Sequence, residues 1–254
     1  MKKKLLIIAG ILVLVLVAVV VIVAMSIGSI IKKGVETVGP EVAKVKMTLE
    51  GANLSIVGGH GTMTGLFIGN PEGYKTESAI KVGKAHLAIA PASLMSDKIV
   101  IRSIQLEAPE ITIEGGLKDN NLTQIQKNIE AFIGSPAAKA EPKSGEAASG
   151  ATKKLQVDEF VLAGAKVNVA LNLLGGKPLS ITIPEIRLSN LGQGPEGITA
   201  ADLADKLTGK LIEAIAPVAQ KAAEDLLKQG TEALKKSAAD AATKKLGDLF
   251  NKKP

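Results

Sequence analysis

The chain has no cysteine and no tryptophan, only two histidines, and five aromatic rings in 254 residues: Phe67, Tyr74, Phe132, Phe160 and Phe250. Without cysteine there is no disulfide framework, no thiol nucleophile and no thiolate metal ligand. The histidines offer little in their place. His60 sits in the turn Gly58-Gly59-His60-Gly61, and His86 falls on the polar side of an alternating run. No zinc-protease, nucleophile-elbow or phosphate-loop spacing occurs anywhere in the chain. Glu107, Glu110 and Glu114 read as a solvated strand face. No catalytic residue, metal set or cofactor site is therefore expected, and the chain reads as a non-enzyme. The scarcity of aromatics leaves a core of Ile, Leu, Val and Ala, since aromatic rings normally carry much of the buried area. A sheet face whose apolar partner is not wholly protein would have this composition.

What the chain does have is a long apolar run. Leu5 to Ile31 holds 27 residues without a charge behind Met1-Lys2-Lys3-Lys4. As an α-helix that run is about 40 Å long, and a bilayer core of roughly 30 Å needs only about 20 residues. A cleaved secretory signal shares the basic start, but its apolar region is usually about 7–15 residues. Here the run continues past the small-residue site Ala24-Met25-Ser26 through Ile30 and Ile31. An uncleaved transmembrane helix over 5–31 is the expectation, with residues 1–4 as a cytoplasmic tail. Lysines flank both ends, so their balance does not orient the span. A short basic tail before a long domain favours the N-terminus inside and the domain outside.

Five of the six net positive charges belong to Lys2, Lys3, Lys4, Lys32 and Lys33, leaving one for the rest. The basic isoelectric point thus reflects the membrane flanks, and no nucleic-acid partner is expected.

Beyond Gly39-Pro40 the pattern turns to period two, the mark of half-buried strands. Val45, Met47 and Leu49 alternate with polar residues, and returning strands follow over 62–68, 80–89 and 98–106. Ile111 and Ile113, Val167, Val169, Leu171 and Leu173, then Leu179, Ile181 and Ile183 repeat the alternation. Asn120-Asn121 caps a helix bearing Leu122, Ile125, Ile129, Phe132 and Ile133 on one stripe. Residues 134–154 contain no large aliphatic residue until Leu155 and read as a flexible linker. Thr199, with Asp202 three residues on, caps a C-terminal helix that Pro217 ends or kinks, with a second helix following. Its later apolar side carries Leu226, Leu227, Leu234, Leu246, Leu249 and Phe250.

The expected fold is α+β. An N-terminal transmembrane helix precedes a curved, mostly antiparallel sheet of about nine strands, roughly 40 Å wide at the strand spacing. The β-rich domain is split into 40–133 and 155–192, with amphipathic helices over 199–252.

Several stretches together resemble the AsmA-like proteins of the Gram-negative envelope. They are the basic tail and apolar helix; Gly61 to Tyr74, with its Gly-Asn-Pro-Glu-Gly-Tyr end; Ser93-Leu94 through Ile99-Val100-Ile101; Ala108-Pro109-Glu110-Ile111 with Asn121-Leu122; and Ile183-Pro184-Glu185-Ile186-Arg187-Leu188 through Gly192. The resemblance implies an inner-membrane protein with its bulk in the periplasm and a part in outer-membrane biogenesis or lipid homeostasis. Larger relatives are similar to bridge-like lipid-transfer proteins, whose curved sheets offer acyl chains an apolar groove, whereas this chain is small. The residues allow such a groove: Val45, Met47, Leu49, Ile111, Ile113, Val167, Val169, Leu171, Leu179, Ile181 and Ile183 are the candidate lipid-facing set. Burying lipid methylenes there would gain about 0.8 kcal/mol per CH₂. Two alternatives stand beside it: helices that seal this face, and a scaffold or assembly factor that docks an envelope protein partner.

Overall fold

The computed structural model describes residues 27–116, 118–139, 153–171 and 179–250. A helix over 27–43 (α1) precedes ten strand segments. These are β1 (Met47–Thr48), β2 (Gly51–Ser55), β3 (His60–Ile68), β4 (Ile80–Ile89), β5 (Lys98–Glu107), β6 (Glu110–Gly115), β7 (Lys154–Ala163), β8 (Lys166–Leu171), β9 (Leu179–Thr182) and β10 (Ile186–Leu191). Helices α2 (Asn121–Ile133), α3 (Pro136–Lys139) and α4 (Ala200–Phe250) complete the chain. The α+β expectation holds: one mostly antiparallel sheet curls into a half-barrel with a C-terminal helix.

The ten segments form only six strands abreast, because four pairs are collinear. Along β4, Lys84 opposes Glu107 of β5 and Lys81 opposes Glu110 of β6, so a single register runs through both. The same holds for β1/β2 against β3, for β7/β8 against β5/β6, and for β9/β10 against β8/β7. Six strands span about 25 Å, narrower than the expected sheet, because segments read as neighbours lie end to end.

The breaks fall on one line across the sheet: Glu50, Gly65, Gly83, Ala108-Pro109, Gly164-Ala165 and Ile183-Pro184. Gly65, Ala108 and Gly164 have φ of 61°, 41° and 64°. A residue in this left-handed region slips the side-chain phase by one, as a β-bulge does. Core-facing residues are therefore three apart at the line, Leu162 then Ala165 and Ile183 then Ile186, and two apart next to it, as in Phe160–Leu162, Ala165–Val167 and Ile186–Leu188; a second irregularity farther along separates Val157 from Phe160 and Leu188 from Leu191. Because every strand slips at the same level, the ladders stay in register and the sheet bends along the crease. Lys166 N to Pro109 O (2.9 Å), Ala108 N to Ala163 O (3.0 Å) and Ile183 N to Ala165 O (3.0 Å) carry the ladder through it.

The sequence read as a meander, and all strand neighbours are antiparallel except β5/β6 with β7/β8, which run parallel. A parallel pair needs a crossover, and the connection over 116–153 supplies it with α2. Asn120 caps α2: its side chain accepts from Thr123 N (3.0 Å) while Thr123 Oγ1 accepts from Asn120 N (2.9 Å). The Thr199–Asp202 box at the start of α4 forms as well, with Asp202 N donating to Thr199 Oγ1 and Thr199 N to Asp202 Oδ2, both at 3.0 Å.

Two helix boundaries differ from expectation. α4 runs through Pro217 as one helix, because Pro217 and Glu213, whose carbonyl loses its partner, are exposed on the helix's solvent side. At the other end, helix rather than strand occupies residues 40–43. Val42 and Ala43 are buried in the core with Val38 packed against it, and that burial outweighs the donor missing at Pro40. Among the described residues no helix is long and apolar enough to cross a membrane; the greater part of the 5–31 run, residues 5–26, lies outside them. Most of the 134–154 linker and the Gly175-Gly176 turn also lie outside, as do the side chains of Leu226, Leu227, Leu234, Leu246, Leu249 and Phe250.

Candidate functional site

The apolar rows lie on one face of the sheet, as their alternation predicts, and helices cover that face. Ile111, Ile113, Val167, Val169 and Ile183 are buried in a single cluster with Leu122, Ile125 and Ile129 of α2 and Leu203, Leu211 and Ile215 of α4. Val45 belongs to the same cluster, and Met47, Leu179 and Ile181 pack against it half-buried. Leu49 is fully buried beside the crease, and the side chain of Leu171 lies outside the described set. The candidate groove is thus filled by the protein's own helices. The cavity left between Ile113, Leu122, Ile212 and Ile215 measures about 20 Å³, room for roughly one water and not for an acyl chain. A wider recess of about 570 Å³ opens beside α4; Leu191, Gly209 and Ile212 line it together with Gln126, Asp205, Lys206, Lys210 and Glu213, so its wall is mostly apolar, with charged groups among the lining, and it is open to solvent.

At the edge of that recess one polar atom stands without a partner among the described residues. Asp205 Oδ1, on α4, is buried and accepts no hydrogen bond from any described residue.

The histidines stay peripheral. His60 lies exposed at the start of β3 with Nδ1 at 3.2 Å from Gly58 O, and His86 Nε2 lies at 2.8 Å from Glu107 Oε1 on the outer surface. Among the described residues no three His, Asp or Glu side chains gather as a metal set would.

No protein-family profile and no curated protein sequence matches the chain.

The motif residues themselves converge on a structural clip. Asn121, fully buried at the start of α2, accepts from Glu114 N (2.9 Å) and donates to Thr112 O (2.8 Å) and to Asn70 Oδ1 (2.7 Å). Asn70 in turn donates to Thr76 O (2.7 Å) and Thr76 Oγ1 (2.8 Å), closing the Asn-Pro-Glu-Gly-Tyr loop. Glu114 accepts from Thr76 Oγ1 and Thr76 N (both 2.6 Å) and from Lys75 N (2.7 Å). Burial pushes the Glu114 carboxyl up, but those bonds and the Lys75 charge outweigh it, and its pKa lies below the ordinary value. Burial, with the charges of Asp119 and Glu114, raises that of Tyr74. The stretch carrying the family resemblance therefore pins a loop to α2 and β6. Sequence reasoning placed Glu114 on a solvated face and missed the clip. The available signal was the second asparagine of Asn120-Asn121, a polar residue with no capping duty in front of a hydrophobic stripe.

A second arrangement concerns the sheet edge. α1 lies along the outer side of β1/β2, where a bare strand edge would present unpaired backbone groups. Leu49 N donates to Glu36 Oε1 (3.1 Å), and Lys32 Nζ donates to Glu50 O (3.4 Å). A Cβ on Gly28 would collide with the Ala52 carbonyl, and one on Gly39 would lie 2.6 Å from Met47 Sδ. The helix thus runs antiparallel to the strand, with its first turns beside β2.

Proposed function

We propose that this chain is an AsmA-like envelope protein, held in the bacterial inner membrane by a helix over residues 5–31. Its N-terminus is cytoplasmic and its bulk periplasmic, and it acts without catalysis in outer-membrane biogenesis or lipid homeostasis. The observation that carries the reading is α1. Ile27 to Ile31, the end of the apolar run, already lie in the helix that clips the sheet edge, so the run leads into the folded domain without an intervening linker. With the apolar face filled by α2 and α4, the geometry favours a tethered scaffold that presents its surfaces to a partner protein. Deleting the gene and restoring either the full chain or residues 34–254 with a cleavable export signal tests this. Raised outer-membrane permeability, corrected by the full chain and not by the untethered one, is the expected result. Unchanged permeability and lipid composition on deletion would overturn the assignment.

One observation favours a second reading, in which the face receives an acyl chain when α4 lifts. Asp205 Oδ1 on α4 has no partner among the described residues, and the sheet face beneath the helices is apolar. A photoactivatable phospholipid that cross-links the full chain at β6 or β8 would select this reading over the scaffold; labelling confined to the N-terminal run would reject it.

A further inference from the structure

Three large apolar side chains stand exposed among the described residues: Ile30 at 40%, Val57 at 86% and Met95 at 92%. Scattered singly they would need no explanation, but Val57 and Met95 share one end of the molecule, and Ile30 lies on α1, whose N-terminus points toward that end. Ile30 lies two residues from Gly28, whose backbone abuts Ala52 of β2. Val57 tips the turn that follows β2. Met95 ends the single turn Pro91–Met95, which is set directly beside the Val57 turn by Ile89 N donating to Gly59 O at 2.7 Å.

From these positions we infer that this end of the half-barrel is a membrane-contact face: the Val57 and Met95 turns rest in the headgroup layer of the bilayer that the apolar run enters. The inference rests on the membrane-anchor reading of residues 5–31 and adds to it a second, separate contact. The occupant is a lipid surface because the 26 residues that precede the described chain, most of them apolar, join it here and nowhere else. The lengths agree. A bilayer core takes about 20 residues of the run, so its boundary would fall near Ala24, about 6 Å of helix beyond Gly28, which is level with Ala52. Ser55, the last residue of β2, lies about 10 Å beyond Ala52 in the same direction at the strand rise, so the turn tips would reach past that boundary. Charge agrees as well. Lys153 Nζ donates to Leu94 O (2.7 Å), holding a cation against the Met95 turn, and Lys98 follows the same turn with its Nζ donating to Gly194 O (2.7 Å). Apolar tips flanked by lysines suit an interface with anionic lipid.

The chain has no cysteine of its own, so single introduced thiols can be read directly. Full-length Val57→Cys, Met95→Cys and, at the opposite end of the sheet, Asp119→Cys would each carry an environment-sensitive fluorophore. They would be reconstituted in phosphatidylethanolamine–phosphatidylglycerol vesicles containing a headgroup-proximal spin-labelled lipid. All three positions are exposed, so the substitutions leave the core intact. The expected result is flotation with the vesicles and lipid quenching of about twofold at 57 and 95 but none at 119, as for side chains about 5–10 Å into the interface. Flotation with 57 and 95 quenched no more than 119 would overturn the contact face and leave the anchor standing; a protein seated on these turns would give that result. Failure to float would overturn both.

Discussion

Asn121 Nδ2 donates to Asn70 Oδ1 across 2.7 Å, joining a loop and a helix start that are 51 residues apart in the chain. The bond sits in a fully buried side chain with two further partners, so its loss leaves donors and acceptors stranded where water cannot reach. Asn121→Ala should cost about 2–3 kcal/mol, the penalty for orphaned buried groups. For a domain of this size that lowers Tm by roughly 5–10 °C. Asn121→Asp should cost at least as much, because a carboxylate cannot donate to Asn70 or Thr112. Thermal unfolding followed by circular dichroism checks both, and equal stability of Asn121→Ala and wild type would show the clip to be ornamental.

The crease makes a prediction about backbone alone. At Gly164 a Cβ would meet nothing closer than Ala108 Cα at 3.8 Å, an ordinary contact, yet φ is 64°. Gly164→Ala should therefore destabilise by about 1–2 kcal/mol through the left-handed conformation only. The neighbouring Ala108 already bears that strain at φ 41°. Ala108→Gly should relieve it, for a net gain of up to about 1 kcal/mol once glycine's extra chain entropy is subtracted. Urea midpoints of the two variants should move in opposite directions.

Two depressed carboxyl groups set the acid limb of stability. Glu114 lies below its ordinary 4.5, burial being outweighed by the bonds from Thr76 and Lys75. Asp202 lies below 3.8, burial being outweighed by Thr199 and by the charges of Lys154 and Lys206. A group whose folded pKa is depressed stabilises fully above its unfolded value and loses that contribution as pH falls through the folded one. Tm should be level from neutrality to about pH 5 and decline below the two ordinary values. Glu114→Gln should be less stable than wild type at pH 7, with the gap narrowing as the medium is acidified; a gap that widens instead would contradict the assignment.

Strand positions were legible because period two survives in the sequence wherever one face is buried: 80–89 and 98–106 match the strands closely, and so does the described part of 166–173. What lay hidden was the third dimension. Leu106 to Ile111 and Ile183 to Ile186 each carry an extra residue against the alternation, and in one strand that is an irregularity. Only pairing shows that all six strands slip together, which turns nine expected strands into six. The capping boxes of α2 and α4 could be read locally, since their partners are three residues apart. Asn121 and Glu114 could not, because what they hold is 51 and 38 residues away. Nor does an aliphatic stripe reveal what will cover it: the rows proposed for lipid are satisfied by Ile125, Ile129, Leu211 and Ile215, which carry the same chemistry.

α4 divides at Ala219, the last of its described side chains to be buried in the core. Before it, Ile215 fills the space between α2 and the sheet and borders the 20 Å³ cavity. Ile215→Ala would enlarge that void in a well-packed surround and should cost about 2–4 kcal/mol. Beyond Ala219 the helix continues for 31 residues, about 46 Å at about 1.5 Å per residue. Its described side chains there, among them Gln220, Glu224, Lys228 and Lys235, are exposed. A chain ending at Lys221 should therefore unfold within about 1 kcal/mol of the full one, the usual range for surface changes, while Ile215→Ala falls well below both. If the distal segment instead serves the scaffold reading, a cross-linked partner recovered with the full chain should vanish with the shortened one although its melting curve is unchanged. A truncated chain that melts as early as Ile215→Ala would mean that the distal half packs on the domain, and the division at Ala219 would fail.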